Sequence, residues 1–402
     1  MDKKLKIKLG QLLTSLSFAL DVAENRYFNH SRRTAYIAYC LAKEMELKEE
    51  DIIDIYYTSL IHDIGMAGHL SNYTVKEIHF NEDLRKEHCF NGYKILDKLP
   101  LKREMKEYIL YHHEEWKGTG PYGLIENEIP LAAQIIHLAD YFELFFVREI
   151  RNGNQFQDLD RIYKWLKMHR NKMFSNEICE VFSSVILKEK FWLDLMSINI
   201  GQALQIIEPG KDISIDIHDL HKISGAFSML IDAKSRFTYE HSKGISKITG
   251  KFAAYLGYNP IMIEKLTIAA NLHDIGKFVV PLNILEKPGK LSNSEFEIIK
   301  SHVYYTKLIL KQVEGLEDIA EWAGNHHEKL NGTGYPEKLD ERTLTKEDQI
   351  IAFADIYQAL TEDRPYRKGM EPKKAISIMD GMADRGEICN SMLSDFKQVV
   401  LY

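Results

Sequence analysis

Along HSKGISKITGKFAAYL (241–256), apolar side chains recur at Ile245, Ile248, Phe252 and Leu256, a spacing that lines one face of a helix. Strand-like alternation is rare elsewhere, and leucine, isoleucine, lysine and glutamate dominate. Turn signals such as KPGK (287–290), NGTGYP (331–336) and NGN (152–154) divide the chain into segments of helix length. The opening stretch MDKKLKIKLGQLLTSLSFAL reads as an amphipathic helix. Basic residues precede its apolar part, but polar residues interrupt that part and no small-residue cleavage site follows. The pattern predicts an all-α protein.

The helical pattern occurs twice. HDIG stands at 62–65 and again at 273–276, and a double histidine at 112–113 returns at 326–327. Between them KEHCFNGYKIL (86–96) parallels KSHVYYTKLIL (300–310). Upstream, NHSRR (29–33) parallels EHSKG (240–244), and downstream AQIIHLADYFE (133–143) parallels DQIIAFADIYQ (348–358). These landmarks keep one order while the offset between copies drifts only from 211 to 215 residues. Two tandem helical domains are therefore expected, 1–207 and 208–402, meeting near EPGKD (208–212). Connecting helices and a short extended piece, ISIDI (213–217), fill about 190–235.

Composition narrows the class. A chain of 402 residues with 45% hydrophobic content can fill two cores. No apolar run approaches the roughly 20 residues of a membrane span. The four cysteines, Cys40, Cys89, Cys179 and Cys389, are scattered singly, which fits core filler in a reducing cytoplasm. The net charge of −7 argues against DNA or RNA as partner, so an anionic ligand needs a local basic patch. The apolar segments ELFFV (143–147) and FWLDLM (191–196) read as helix core, or as an interface between domains or between the subunits of a homodimer.

Each copy offers the same donor set. The second has His241, His273, Asp274, His302, His326, His327 and Asp355; the first has His30, His62, Asp63, His88, His112, His113 and Asp140. Ten of the sixteen histidines belong to these sets, which makes chance placement in a core a poor explanation. Imidazole and carboxylate without thiolate suit iron, manganese, zinc or nickel, and seven donors exceed one tetrahedral ion. Two divalent ions in the second copy are expected, with Asp274 as the bridging carboxylate, and a further metal site in the first. His69, His79, His137, His169, His218 and His221 fall outside the pattern and read as ordinary surface histidines or core histidines with satisfied hydrogen bonds.

HDIGK (273–277), the double histidine and NGTGYP (331–336) together resemble the HD-GYP subgroup of the HD metal-dependent phosphohydrolases. The resemblance runs from about 230 to 402 and includes PLNILEKPGKLSNSEF (281–296) and DRPYRKG (363–369). It implies an all-helical domain whose two or three metals, often iron or manganese, activate water to cleave cyclic di-GMP, with cyclic GMP-AMP as the alternative substrate. A non-catalytic sensor of nucleotide, metal or redox state is the competing class. Lys277 follows the HD pair by one helical turn, so its ammonium can contact the scissile phosphate or assist the leaving 3'-oxygen, and Asp274 and Lys277 are the expected catalytic residues. Arg364, Arg367 and Lys368 can hold the other phosphate. The resemblance further implies that the loop with Tyr335 and Pro336 shapes the site and offers a surface to protein partners.

Departures from the family pattern carry information. Gln358 stands where a second acidic residue often follows the last metal aspartate, and Phe237 stands where three-metal members have a carboxylate, although Glu240 is near. Two metals, and a linear pGpG product, are the resulting expectation. In the first copy Met66 replaces Lys277, and Glu149 and Asn152 fall where Arg364 and Arg367 would be, with Arg148 and Arg151 one residue away. The first copy should bind metal, hydrolyse cyclic dinucleotides poorly, and act as sensor or regulator.

Overall fold

The structure is a computed structural model that describes residues 6–23, 29–66, 70, 73, 75–147, 159–197, 199–234, 241–363 and 368–402. Helices dominate it, as the 3.6-residue pattern predicts. Two compact units form: Leu16–Met66 with Leu70–Ile213, and Ser214–Tyr402 with the segment up to Ser15. The division thus falls at 213/214 rather than 207/208, and the N-terminal residues belong with the second unit. The cause is a pairing with no local signal. Ile7–Lys8 is a short strand, antiparallel to Ser214–Ile215 with Ile7 opposite Ile215. The amphipathic helix expected from residue 1 accordingly runs from Leu9 to Ala23.

In the second unit, helices His241–Tyr255, Pro260–Leu272 and Lys346–Thr361 surround the donors. Their starts are encoded locally. Asn259 accepts from the Met262 N–H ahead of Pro260, Thr345 and Asp348 close a capping box, and Ser292 with Glu295 closes another before helix Asn293–Leu310. Between the three helices Ile245, Ala270 and Ala354 are fully buried, and Ile248 packs on them. Two alanines let these backbones approach closely, which brings the histidines at the helix ends within reach of one another. Phe252, Phe353 and Phe396, with centroids 5.0 to 6.0 Å apart, tie helix Asn390–Leu401 to the same core. Each such burial stabilises the unit by roughly 1.5–3 kcal/mol.

The first unit repeats this frame with helices His30–Glu44, Glu49–Leu60, Glu82–Leu96, Arg103–Tyr111 and Leu131–Phe142. ELFFV continues the last of these as a single π-helical turn, Glu143–Val147, and FWLDLM lies in helix Glu189–Leu195. Leu144, Phe146 and Val147 of the first segment and Phe191, Trp192 and Leu195 of the second are buried, whereas Leu193 is exposed. Phe142 stands 4.7 Å from Phe182 and 6.1 Å from Trp192, whose indole N–H donates to the Ile186 carbonyl at 2.7 Å. The four cysteines are free, with Cys89 and Cys179 buried. No helix among the described residues is long and apolar enough to cross a membrane.

Candidate metal centre

In both copies the HD pair sits where a helix gives way to a tighter 3-10 turn, at Ile275–Val279 in the second and His62–Met66 in the first. The motif glycine has a steric reason. A Cβ on Gly276 would stand 1.9 Å from the His302 carbonyl oxygen, and one on Gly65 would stand 2.0 Å from that of His88. Glycine therefore lets the helix with the next histidine press against the turn. Thr306 clamps the contact, its hydroxyl donating to the His273 carbonyl at 2.8 Å and accepting from the Gly276 N–H at 3.0 Å.

The residue after each double histidine organises the following loop. Buried Glu328 accepts from the N–H groups of Glu337 at 2.7 Å and Leu339 at 3.0 Å. Glu114 does the same for Tyr122 at 2.6 Å and Leu124 at 2.8 Å. Gly334 and Gly120 pack on the Cα atoms of these glutamates, where an added Cβ would come to 2.4 and 2.6 Å. Two copies of HHE followed by GTG thus encode one loop anchor, and the divergent residues GYP and GPYG ride on it. The Tyr335–Pro336 peptide bond is cis.

The seven donors of the second copy converge. His241, His273 and Asp355 form one group and His302, His326 and His327 another, each with ligand atoms within 4.8 Å of one another. Asp274 lies between the groups, with Oδ2 3.1 Å from His273 Nε2 and Oδ1 3.3 Å from His302 Nε2, the disposition a bridging carboxylate needs. Second contacts set the tautomers. Nδ1 of His273, His302 and His326 donates to the carbonyls of Ala270, Ile299 and Ala323 at 2.6 to 2.7 Å, so each Nε2 presents a lone pair inward. Burial pushes the His302 imidazole down to about 3 and that of His326 well below its ordinary value, so both are neutral. Their Nε2 atoms face each other at 3.4 Å. Two converging lone pairs with no proton between them repel, and a cation shared by them removes the repulsion. On this ground the residues fit divalent transition ions.

Supporting groups surround the donors. Lys277 pairs with Asp274 Oδ2 at the rim of the centre. The Tyr335 ring lies 5.0 Å from that of His327. Beyond it opens a groove of about 580 Å³, lined by Phe296, Lys300, Lys329, Tyr335 and Lys338 among others. Lys368 is exposed, whereas Arg364 and Arg367, like Phe237 and Glu240, lie outside the described residues.

Sequence reasoning missed Glu362, whose Oε2 accepts from His241 Nδ1 at 2.8 Å. In the first copy that role falls to Glu143, which accepts from His30 Nδ1 at 2.5 Å and from Arg33 Nε at 2.6 Å. The repeat places Gln358 opposite Glu143 and Gly244 opposite Arg33, and the Gln358 amide occupies the space a side chain at 244 would take, 2.3 Å from its Cβ. One ion pair has been exchanged for a glycine and an amide, while a carboxylate two helical turns after Asp355 orients the histidine. Replacing Glu362 by glutamine is expected to weaken metal binding about 10- to 100-fold. Competition titration with a metal chelator measures this, and wild-type affinity in that variant would remove Glu362 from the centre.

The first copy brings its donors together as well. His62 Nε2 lies 2.9 Å from Asp63 Oδ2, His88 Nε2 lies 3.3 Å from Asp63 Oδ1, and His30 Nε2 lies 3.3 Å from Asp140 Oδ1. His88 and His112 face each other through Nε2 at 3.2 Å. Met66 is buried where the second copy has its lysine, and Arg148, Glu149, Arg151, Asn152 and His69 lie outside the described residues. Two histidines depart from expectation. His79 is no bystander, since its Nε2 lies 3.4 Å from Asp140 Oδ2. Among the described residues His137 is buried with neither ring nitrogen hydrogen-bonded, and burial pushes its pKa down to about 3. A two-residue motif cannot announce them, because each acts alone.

Two helical units, each with an HD pair, a spaced histidine, a double histidine and a final aspartate around one pocket, define a duplicated HD domain. The family model described as HD domain matches residues 16–156 and 225–388, and the chain belongs to that family, in its HD-GYP type. Among known proteins it is 32% identical to 3'3'-cGAMP-specific phosphodiesterase 1 of Vibrio cholerae, a match covering 93% of this chain and 87% of the relative. It is 27% identical to 3'3'-cGAMP-specific phosphodiesterase 3 of the same organism over 92% and 90%. A cyclic di-GMP phosphodiesterase of Thermotoga maritima is 32% identical over 41% of this chain and 46% of its own length. The crystal structure of a cyclic GMP-AMP specific phosphodiesterase of V. cholerae superposes with a TM-score of 0.70 at 25% identity, covering 98% of both chains.

Proposed function

We propose that this chain, a metal-dependent cyclic dinucleotide phosphodiesterase, acts on 3'3'-cyclic GMP-AMP and opens it to a linear dinucleotide at the second copy. One observation carries the choice of substrate. Two relatives named for 3'3'-cGAMP match across more than nine tenths of this chain and so include both HD copies, whereas the Thermotoga cyclic di-GMP phosphodiesterase and a third relative named for 3'3'-cGAMP each match less than half. This reverses the order drawn from motifs alone, in which cyclic di-GMP stood first.

The division of labour follows from the residues. Bound divalent ions supply Lewis acidity at the phosphoryl oxygens and lower the pKa of water. His241, His273, His302, His326, His327, Asp274 and Asp355 hold and orient them. Lys277, beside Asp274, is placed to pair with the scissile phosphate and to give a proton to the departing 3'-oxygen. The Phe296 and Tyr335 rings, 6.3 Å apart, border the groove and offer apolar faces to a base. Lys300, Lys329 and Lys338 line the same groove, the first two paired with Glu297 and Glu387, and Lys368, Arg364 and Arg367 are proposed to add the positive charge that a net acidic chain needs for a dianion. The first copy, without the lysine, is proposed as a regulatory domain.

The full chain, loaded with Mn2+ or anaerobically with Fe2+, is expected to favour 3'3'-cGAMP over cyclic di-GMP by at least about tenfold in kcat/KM. That is the worth of one hydrogen bond to the differing base edge. Chromatographic product analysis across cyclic dinucleotides checks it. Preference for cyclic di-GMP would restore the other substrate, and saturable binding without product would make the chain a receptor.

A further inference from the structure

The first copy gains a donor that the duplication does not supply. His79, on helix Val75–Phe80, lies with its ring 4.7 Å from His113, and His79, His113 and Asp140 form a three-donor group with ligand atoms within 4.8 Å of one another. The stretch after the second HDIG, 281–291, contains no histidine. The surroundings of His113 differ as well. The His137 ring stands 5.9 Å from it and 5.1 Å from that of Phe174, and Tyr141 lies 5.1 Å from His79. Phe174 is carried there by backbone pairing, in which Trp116 and Lys117 donate to the Met173 and Lys172 carbonyls at 3.0 and 2.9 Å. In the second copy Ala352 and Ile356 stand at the positions of His137 and Tyr141.

The consequence is a difference in access. Every residue of the first donor set, His79 included, is buried, with the Asp63 side chain 7% exposed, whereas His327 is only half-buried, its side chain 30% exposed, and lies against Tyr335, which lines the groove. A hydrolytic metal site keeps one position open for water and substrate; a structural site fills every position with protein. The geometry points to a closed, non-hydrolytic metal centre in the first copy, with His79 as a further ligand to a divalent transition ion shared with His113 and Asp140. Its imidazoles and carboxylates suit zinc, manganese, iron or cobalt. A metal held there stabilises the unit by mass action, since the unfolded chain does not assemble the site.

Cobalt reads the two centres separately. The full chain with His273→Ala/Asp274→Ala, loaded with Co2+, reports the first centre, and the chain with His62→Ala/Asp63→Ala reports the second. Inorganic phosphate is expected to leave the visible spectrum of the first centre unchanged and to shift that of the second. Chelator is expected to strip the second centre quickly and the first slowly, and His79→Ala should speed release from the first at least about tenfold. A phosphate-induced shift at the first centre, failure of that centre to take up cobalt, or release unaltered by His79→Ala would each overturn the inference. The phosphate arm needs no substitution at His79, so it decides even where His79→Ala does not fold. All readouts follow metal rather than turnover, so they stand apart from the identity of the substrate.

Discussion

Cyclic dinucleotide turnover by the full chain is expected to fall by at least about 10³-fold when His273 and Asp274 are both replaced by alanine, the loss of several kcal/mol of charge stabilisation at phosphorus. Asp274 directs one oxygen to His273 and the other to His302 and pairs with Lys277, so its removal disconnects both groups of donors and the lysine at once. The matching pair in the first copy, His62→Ala/Asp63→Ala, should leave substantial turnover, since Met66 is buried where the lysine would be. Steady-state assays of the two variants, with metal content measured on each, distinguish the copies. Full activity in the His273→Ala/Asp274→Ala chain would remove the second copy from the chemistry.

A single methyl group should do comparable damage at Gly276. A Cβ there would lie 1.9 Å from the His302 carbonyl oxygen and 2.7 Å from the Thr306 amide nitrogen, both backbone atoms of one helix. Nothing flexible can yield, so helix Asn293–Leu310 must move away from the turn, taking His302 with it. Gly276→Ala is expected to cost the second unit about 1–3 kcal/mol, as overpacking does, and to abolish turnover. Gly65→Ala meets the His88 carbonyl in the same way, but its damage should be confined to the stability and metal content of the first unit. Thermal unfolding of both variants with parallel assays checks this. A Gly276→Ala chain with wild-type melting and rate would show that the turn is looser than its contacts imply.

The donor sets were legible because metal chemistry is written in residue types that have few other reasons to recur in order. His62 with Asp63 and His112 with His113 announce themselves, and the offset carries each to its partner in the second copy. The orienting carboxylates were not legible, because the repeat breaks there. Glu143 lies three residues after Asp140 and Glu362 seven after Asp355, yet each bonds the first histidine of its copy. On a helix those separations share a face, so either register serves and no spacing rule selects one. His79 was invisible for a related reason, since it lies in a segment without a counterpart.

By itself the sequence determined a duplicated helical scaffold, the fourteen histidines and aspartates that make up the buried clusters of its two copies, and the restriction of Lys277 and the GYP loop to one copy. These are local properties: periodicity, residue type and adjacency. Only the tertiary structure decided that His327 is half-buried beside Tyr335 while the donors of the first copy are buried, that Ile7–Lys8 pairs with Ser214–Ile215 in the second unit, and that Glu362 takes over from Gln358. Each depends on segments far apart in the chain meeting in space, and a linear pattern does not carry that proximity.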